Sequence, residues 1–434
     1  MKYYSTNRSV PEVSLSEAVI KGLAGDNGLF MPERIRPMSE EFFARMPQMS
    51  FQQIAFEVAQ AFFGEDIPEA KLKEIVYDAL NFETPVVPVS DHIYSLELFH
   101  GPTLAFKDVG ARFMARMLGY FIEQKGDGKP VTVLVATSGD TGSAVANGFL
   151  GVPGIDVVVL YPKGKVSGIQ ESQFTTLGKN ITALEIDGTF DDCQRLVKAA
   201  FLDGELNQKM NLSSANSINV ARFQPQAFYY FNAHAQLQRK AQAREVVFCV
   251  PSGNFGNITA GLFAKRMGLP VKRFIAANNL NDIFLQYLQT GEYKPRPSVA
   301  TLANAMDVGD PSNFVRILDL YGQSHEAITQ EISGTRFTDD DIRRVVKNTY
   351  QKTGYLLDPH GACGYQALVE GLKPGETGVF LETAHPAKFK ETVDSITGES
   401  LEIPAKLQEF MKGEKQSIEM GAEFDSFKAY LMQR

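Results

Sequence analysis

The chain has 434 residues, and 44% of them are hydrophobic, which is enough apolar material for two or three globular domains. Its formal net charge of −8 argues against nucleic acid or an anionic membrane surface as a partner. Any anion-binding site must therefore be built locally, against the charge of the whole protein.

The three cysteines, Cys193, Cys249 and Cys363, lie far apart and form no CxxC pair. This spacing indicates neither a disulfide scaffold nor a zinc site, and we predict no bound metal. No apolar run is long enough to span a membrane, and residues 1–5 lack the apolar region of a signal peptide. We therefore expect a cytoplasmic protein without a membrane partner.

Residues 1–85 are predicted to form a mostly helical unit. A helix capped by Ser14 or Ser16 is expected to end at Gly25, and the turn residues 26–28 follow it. Helical spacing of apolar residues predicts two more helices, over residues 51–63 and 69–80. Nothing in this unit suggests chemistry, so we expect it to serve in packing or as an interface.

From residue 86 onward, short apolar strands alternate with helical segments. This alternation predicts βαβ units and the fold class α/β, with two open parallel-sheet lobes over residues 86–215 and 216–434 that face one cleft. Ligands of such sheets bind beyond the carboxyl ends of the strands. The predicted strands cover residues 94–99, 130–136, 157–161, 181–186, 246–250, 271–277 and 378–381.

A single lysine stands out after the first of these strands. Lys107 lies between the apolar run 104–106 and the carboxylate of Asp108. A desolvated lysine loses its proton more easily and can then attack an aldehyde, so Lys107 is a candidate nucleophile. The alternative is a surface lysine at the start of a helix over residues 108–124.

The loop at residues 137–143 follows a strand and precedes an alanine-rich helix over residues 144–150. Its hydroxyl groups and main-chain N–H groups at a helix start could hold a carboxylate. There is no Gly-x-Ser-x-Gly sequence around Ser138, so a serine hydrolase is not indicated. A simple N-cap turn is the alternative.

Residues 216–222 bring together amides, a hydroxyl group and one arginine, Arg222. Arginine grips a phosphate through two parallel hydrogen bonds, so this segment is a candidate phosphate-binding site. Lys163 and Lys165 follow another strand and could add positive charge, although lysines there are commonly solvated. The alternative is that residues 216–222 form part of the solvated polar surface.

The loop at residues 251–257 follows a strand and opens a helix near Ile258. Its two glycines allow the main chain to turn sharply and to present successive N–H groups to an anion. The helix N-terminus adds partial positive charge, so the loop predicts a phosphate cradle. It is neither a Walker A loop nor a GxGxxG fingerprint, and an ordinary strand-to-helix turn is the alternative.

Residues 382–388 follow the predicted strand at 378–381. The hydroxyl group of Thr383 could bond a ring nitrogen. His385 stands before Pro386, and a histidine in such a position is more often structural than catalytic.

A Schiff-base lysine, a phosphate cradle, a carboxylate loop and a hydroxyl group for a ring nitrogen are together what pyridoxal phosphate requires. In these motifs and in their order, the chain resembles the threonine synthases of the longer bacterial and fungal type. Residues 14–32 also resemble the N-terminal domain of that family. The motifs that carry the resemblance are residues 100–108, 137–144, 216–222, 251–257 and 383–389.

The resemblance implies a pyridoxal-phosphate enzyme of fold type II that converts O-phospho-L-homoserine and water into L-threonine and phosphate. Asp140 stands where many relatives of this fold carry an asparagine near the cofactor's phenolic oxygen. The implied cofactor-binding residues are the Schiff-base Lys107, Asp140, Ser252, Gly253, Asn254, Phe255, Gly256, Asn257 and Thr383. The implied substrate-binding residues are Thr137, Ser138, Thr141 and Gly142 for the carboxylate, and Asn216, Ser217, Asn219 and Arg222 for the phosphate.

Three other interpretations stay open at this point. A related lyase such as threonine dehydratase would need no second phosphate site, so Arg222→Ala would leave its turnover of unphosphorylated serine or threonine intact. A catalytically silent homologue would only bind a phosphorylated ligand, and an assembly scaffold would use the helical N-terminal unit. We expect a monomer or a weak homodimer.

Overall fold

The computed structural model describes residues 1–126 and 128–434, which form two compact units. In this described part of the chain, no helix has the length and apolar character needed to cross a membrane. The first unit comprises Met1–Glu33, Lys107–Arg222 and Ile403–Arg434, and the second comprises Arg34–Phe106 and Phe223–Glu402. These bounds differ from the predicted ones, since the N-terminal residues are shared between the units and the C-terminal residues join the first.

The strands are short, as expected for parallel α/β sheets. In chain order they are β1 (Lys2–Ser5), β2 (Val13–Ser14), β3 (Phe30–Pro32), β4 (Val86–Ser90), β5 (Ile93–Glu97), β6 (Val131–Ala136), β7 (Ile155–Pro162), β8 (Ile181–Asp187), β9 (Asn211–Ser214), β10 (Val246–Pro251), β11 (Arg273–Asn278), β12 (Ile332–Arg336), β13 (Thr377–Glu382) and β14 (Ser417–Gly421).

The α-helices separate most of these strands. They are α1 (Leu15–Lys21), α2 (Glu40–Arg45), α3 (Phe51–Phe63), α4 (Glu69–Ala79), α5 (Lys107–Lys125), α6 (Asp140–Phe149), α7 (Gly168–Thr175), α8 (Phe190–Leu202), α9 (Gly204–Lys209), α10 (Val220–Phe223), α11 (Ala227–Arg239), α12 (Gly256–Arg266), α13 (Ile283–Thr290), α14 (Phe314–Leu320), α15 (His325–Glu331), α16 (Asp339–Thr353), α17 (Pro359–Gly371), α18 (Lys390–Thr397), α19 (Ala405–Met411) and α20 (Phe424–Met432).

The first unit is built on a parallel sheet with the strand order β14-β8-β7-β6-β9. Every residue of β6 is buried, as its run of valine, leucine and alanine predicts for a strand covered on both faces. The edge strand β14 comes from the C-terminal extension, which the sequence had assigned to the second lobe. Phe427 and Leu431 of α20 bury their side chains in the core of this sheet, which holds the extension there.

The second unit is built on a six-stranded sheet with the order β12-β11-β10-β13-β5-β4. Five strands run parallel, and β4 pairs antiparallel with β5 at the edge. Pro88 lies in β4 beside a register shift, which suits an edge strand because proline lacks an N–H for the ladder. The two largely parallel sheets confirm the predicted α/β fold class.

The N-terminal residues also contain a small antiparallel sheet, β2-β1-β3, that the prediction of a mostly helical unit did not include. The side chain of Ser14 caps α1 by accepting a hydrogen bond from the N–H of Glu17. The helix ends at Lys21, and Gly22 follows with a φ of +70°. The predicted end at Gly25 is therefore wrong, because the left-handed residue that terminates the helix comes three positions earlier.

Asp26 in the predicted turn accepts hydrogen bonds from Ser5, Ser9 and Gly28. Burial raises the pKa of Asp26, but these hydrogen bonds outweigh it and lower the pKa from 3.8 to about 2. A carboxylate whose pKa is lower in the folded than in the unfolded state stabilises the fold at a pH above its unfolded-state pKa. This stabilisation is lost as the pH falls through the folded-state pKa.

We expect Asp26→Asn to lower the free energy of unfolding at pH 6, and this difference from wild type to shrink between pH 4 and 2. Urea unfolding of both proteins across this range measures it, and a pH-independent difference would contradict the assignment.

Candidate functional site

The segment before Lys107 is held in an unusual main-chain conformation. Leu104 has a φ of +57°, a left-handed value that non-glycine residues rarely adopt. Hydrogen bonds join the segment to the chain after β13, since Phe106 N–H donates to the Thr383 carbonyl over 2.8 Å and His385 N–H donates to the Leu104 carbonyl over 3.1 Å. Lys107 is the next residue along the chain, so these hydrogen bonds fix the main chain immediately before it.

Lys107 is the first residue of the 19-residue helix α5, and it is half-buried. The positive end of a helix dipole lies at this position. Arg222 donates from Nη1 to the carbonyl oxygen of Lys107 over 3.0 Å and from Nε to that of Ala215 over 2.7 Å. Arg222 therefore fixes the main chain of Lys107.

Arg222 is only 3% exposed. Burial lowers the pKa of its guanidinium to about 10, while the charge of Asp108 opposes this shift. The side chain is therefore positively charged at neutral pH, as a phosphate-binding residue needs to be. Its carbonyl partners also give it a structural role that the sequence did not reveal.

The other predicted phosphate-binding residues lie in the same segment. Asn216 donates to the carbonyl of Ala136 over 3.0 Å and accepts from its N–H over 3.3 Å. Asn219 is fully buried, and its Nδ2 donates to the carbonyls of Val19 and Ser214 over 2.9 and 3.1 Å. These two amides anchor the segment to the first unit, and Ser217 between them is half-buried.

The carboxylate loop is shorter than predicted, because α6 begins at Asp140 rather than at residue 144. Thr137 is buried, and its hydroxyl oxygen accepts hydrogen bonds from the N–H groups of Gly139 and Gly142 over 2.9 and 2.8 Å. Thr137 thus shapes the loop. Ser138 and Thr141 are half-buried.

Asp140 has a partner that sequence reasoning missed. Gln170 is fully buried and donates from Nε2 to Oδ1 of Asp140 over 2.9 Å. Gly139 makes room for this amide, since a Cβ at position 139 would lie 2.6 Å from it and φ is +138°. Thirty residues separate the two side chains, and no local pattern could have paired them.

The predicted phosphate loop leads from β10 into α12, which begins at Gly256 rather than near Ile258. Phe255 adopts a left-handed φ of +63° and makes no side-chain cap. No described residue accepts a hydrogen bond from the main-chain N–H groups of residues 253–257. Such unpaired N–H groups at the start of an 11-residue helix are a suitable cradle for a phosphate.

The side chains at the two ends of this loop stabilise it from within. The Ser252 hydroxyl donates to the Val250 carbonyl over 2.8 Å, and Asn257 Nδ2 donates to the Pro251 carbonyl over 2.9 Å. The carbonyl of Asn254 accepts from Asn313 Nδ2 over 3.0 Å. The loop is therefore preformed.

Thr383 directly follows β13 and is nearly buried. Its hydroxyl group bonds to none of the described residues, which leaves it able to meet a ring nitrogen. The hydroxyl group of Thr383, the unpaired N–H groups of residues 253–257 and the amine of Lys107 are each of a kind that pyridoxal phosphate requires. Residues 1–126 and 128–434 contain no group of three His, Cys, Asp or Glu side chains that could hold a metal ion.

Two weaker candidates have structural partners. His385 accepts from the N–H of Ala387 through Nδ1, and burial lowers its pKa to about 4, so its ring is neutral at pH 7. Lys163 pairs with Glu419 over 2.8 Å on the surface of the first unit. Neither contact provides a reactive group.

The sequence matches three family models that together span nearly the whole chain. The model described as "Pyridoxal-phosphate dependent enzyme" matches residues 80–383. The models described as "Threonine synthase N terminus" and "Threonine synthase, C-terminal" match residues 2–80 and 361–431.

Full-length relatives and solved structures agree with these matches. Threonine synthase from Escherichia coli is 46% identical over 432 residues, which cover 100% of this chain and 99% of that protein. Its counterpart from Haemophilus influenzae is also 46% identical, with 100% of both chains covered. The crystal structure of the Escherichia coli enzyme superposes with a TM-score of 0.94 at 45% identity and covers 100% of both chains.

A second structure bears on the cofactor. The pyridoxal-phosphate-bound threonine synthase of Brucella melitensis superposes with a TM-score of 0.92 at 37% identity, covering 100% of this chain and 99% of that one. A threonine deaminase from Solanum lycopersicum is only 15% identical with a TM-score of 0.55 and shares the fold alone, so the dehydratase interpretation is not favoured. The chain belongs to the threonine synthases, enzymes of fold type II that depend on pyridoxal phosphate.

Proposed function

We propose that this enzyme converts O-phospho-L-homoserine and water into L-threonine and phosphate. The observation that carries the proposal is the set of unpaired main-chain N–H groups at residues 253–257, at the start of α12. They suit the cofactor's phosphate. The substrate's phosphate would bind at the segment that contains Arg222, whose side chain is positively charged at neutral pH. A lyase acting on unphosphorylated amino acids has no use for this second site.

We assign the cofactor's contacts to four groups of residues. Lys107 would hold it covalently through Nζ, and residues 252–257 would hold its phosphate. Thr383 would face the ring nitrogen, and Asp140, which accepts from Gln170, would lie near the phenolic oxygen. When bound, pyridoxal phosphate withdraws electrons from the substrate's α carbon.

The chain's own groups would then move protons and hold the substrate. The Lys107 amine, once displaced, would shuttle protons at the α and β carbons. The Thr383 hydroxyl cannot keep a ring nitrogen protonated as a carboxylate would, which favours β,γ-elimination and replacement over transamination. Thr137, Ser138, Thr141 and Gly142 would hold the substrate carboxylate, and Asn216, Ser217, Asn219 and Arg222 its phosphate.

The test is product analysis on the pyridoxal-phosphate-loaded protein. We expect O-phospho-L-homoserine to give inorganic phosphate and L-threonine in equal amounts, whereas L-homoserine, the matched substrate without phosphate, should give neither. A 2-oxo acid and ammonia in place of threonine would indicate a lyase and contradict the proposal. We also propose that the chain works in the cytoplasm as a monomer or weak homodimer, and sedimentation velocity tests the oligomeric state.

A further inference from the structure

A buried set of polar side chains in the second unit begins beside Thr383, at the last residue of β13. Glu382 and Asp358 are both fully buried, and the N–H of Asp358 donates to Oε1 of Glu382 over 2.6 Å. Gly361 leaves room for this carboxyl group, since a Cβ there would overlap it. Burial and the nearby Asp358 raise the pKa of Glu382 well above its usual range.

His360 extends this set away from the strand, and its hydrogen bonds determine which ring nitrogen carries the proton. Nε2 accepts a hydrogen bond from the main-chain N–H of Ala305 over 3.1 Å, so this nitrogen is unprotonated. Nδ1 lies 2.6 Å from Oδ2 of Asp358 and therefore carries the ring proton and donates it. The buried imidazole, 2% exposed, is thus held as one neutral tautomer.

Asp358 can orient the ring because its own position is fixed. It is the N-cap residue of α17, and its other carboxylate oxygen accepts from the N–H of Gly361 over 2.6 Å. Pro359 at the first helical position adds a preset φ angle. The carboxylate therefore presents Oδ2 to His360 from the end of a 13-residue helix.

At its far end, the set of polar groups reaches the predicted phosphate loop. Ala305 belongs to the 3-10 helix Asn304–Met306. A Cβ placed on Gly253 would come within 2.6 Å of the Ala305 carbonyl oxygen and 3.1 Å of Met306 Cα. Main chain lies directly against main chain here, so a displacement of Ala305 must move Gly253.

We propose that His360, oriented by Asp358, is a positioning residue that holds the N–H groups of residues 253–257 in the geometry that binds the cofactor's phosphate. It acts through Ala305 and contributes no atom to the reaction. This inference rests on the proposed function, because it takes residues 253–257 as the phosphate cradle. It explains why a histidine that is only 2% exposed is held in a single tautomer.

Two variants separate the hydrogen bonds of His360. His360→Asn keeps a donor near the Nδ1 position for Asp358 but cannot reach Ala305, whereas His360→Gln keeps an acceptor near the Nε2 position. The measurement is the dissociation constant of the cofactor-free full chain for pyridoxal phosphate and for pyridoxal, which lacks the phosphate. We expect His360→Asn to weaken binding of pyridoxal phosphate about tenfold and to leave pyridoxal unchanged, with His360→Gln close to wild type.

The outcomes are distinct. The role of His360 would be overturned if the two variants had equal dissociation constants for pyridoxal phosphate. It would also be overturned if His360→Asn kept the wild-type preference for pyridoxal phosphate over pyridoxal. If the wild-type chain itself binds both compounds equally, the phosphate cradle of the proposed function fails instead. Nitrogen-15 NMR of the wild-type holoenzyme needs no variant to fold. It should show a neutral His360 protonated at Nδ1, and a proton on Nε2 would overturn the inference.

Discussion

Replacing Lys107 with alanine should lower kcat by about a thousandfold or more and leave the protein with no cofactor that borohydride can fix to it. The amine is expected both to attach the cofactor and to move protons, so its loss removes two functions at once. Borohydride reduction followed by peptide mapping should find the label on the wild-type peptide that contains Lys107. The visible absorption of the attached cofactor should be absent from the variant.

The structure explains why no neighbouring lysine should replace Lys107. Hydrogen bonds of Phe106 and Leu104 to the chain after β13 fix the residue before it, and Arg222 holds its carbonyl oxygen. Lys198→Ala is the matched control, because Lys198 is an exposed lysine of α8 in the first unit. This control should keep full labelling and activity. A label on any other lysine of the wild-type protein would refute the assignment.

Those parts of the fold and site that depend on local pattern were predictable from the sequence. The apolar strand β10, its glycine-containing loop and the helix after it were all predicted, because strand periodicity and turn residues are local signals. The left-handed Phe255 was not predictable, since an aromatic residue adopts that conformation only when its surroundings require it. Its ring packs against Phe284, with 4.7 Å between the ring centroids.

Long-range contacts were the part that the sequence could not provide. Strand β14 pairs with β8 across more than two hundred residues, and its mostly exposed side chains carry no signal of that partner. Asp358 before Pro359 does have the pattern of a helix N-terminus, so that cap was detectable. The hydrogen bond between His360 and Ala305 depends on how two segments of the second unit pack, so no local sequence pattern indicates it.

Gly110→Ala should lower the free energy of unfolding by about 2–3 kcal/mol, an effect expected from overpacking against a rigid neighbour. Gly110 lies in α5, one turn after Lys107, and a Cβ there would overlap the carbonyl oxygen of Arg222. Main-chain atoms cannot rotate away as a side chain can, so α5 and the Arg222 segment must separate. Because Arg222 also holds the Lys107 carbonyl, attachment of the cofactor at Lys107 should weaken as well.

Gly119→Ala is the matched control in the same helix. Its change in the free energy of unfolding should have the opposite sign to that of Gly110→Ala, or be close to zero. A Cβ at position 119 would meet only the side chain of Val152, at 3.2 Å from Cγ1, and this methyl group can shift by rotation. Alanine is favoured over glycine inside a helix by about 1 kcal/mol, so this variant should be as stable as wild type or more stable. Urea unfolding of the two variants side by side measures the difference. Equal stability would mean that the contact between α5 and Arg222 is loose enough to accept a methyl group, and Arg222 could not then fix the main chain of Lys107.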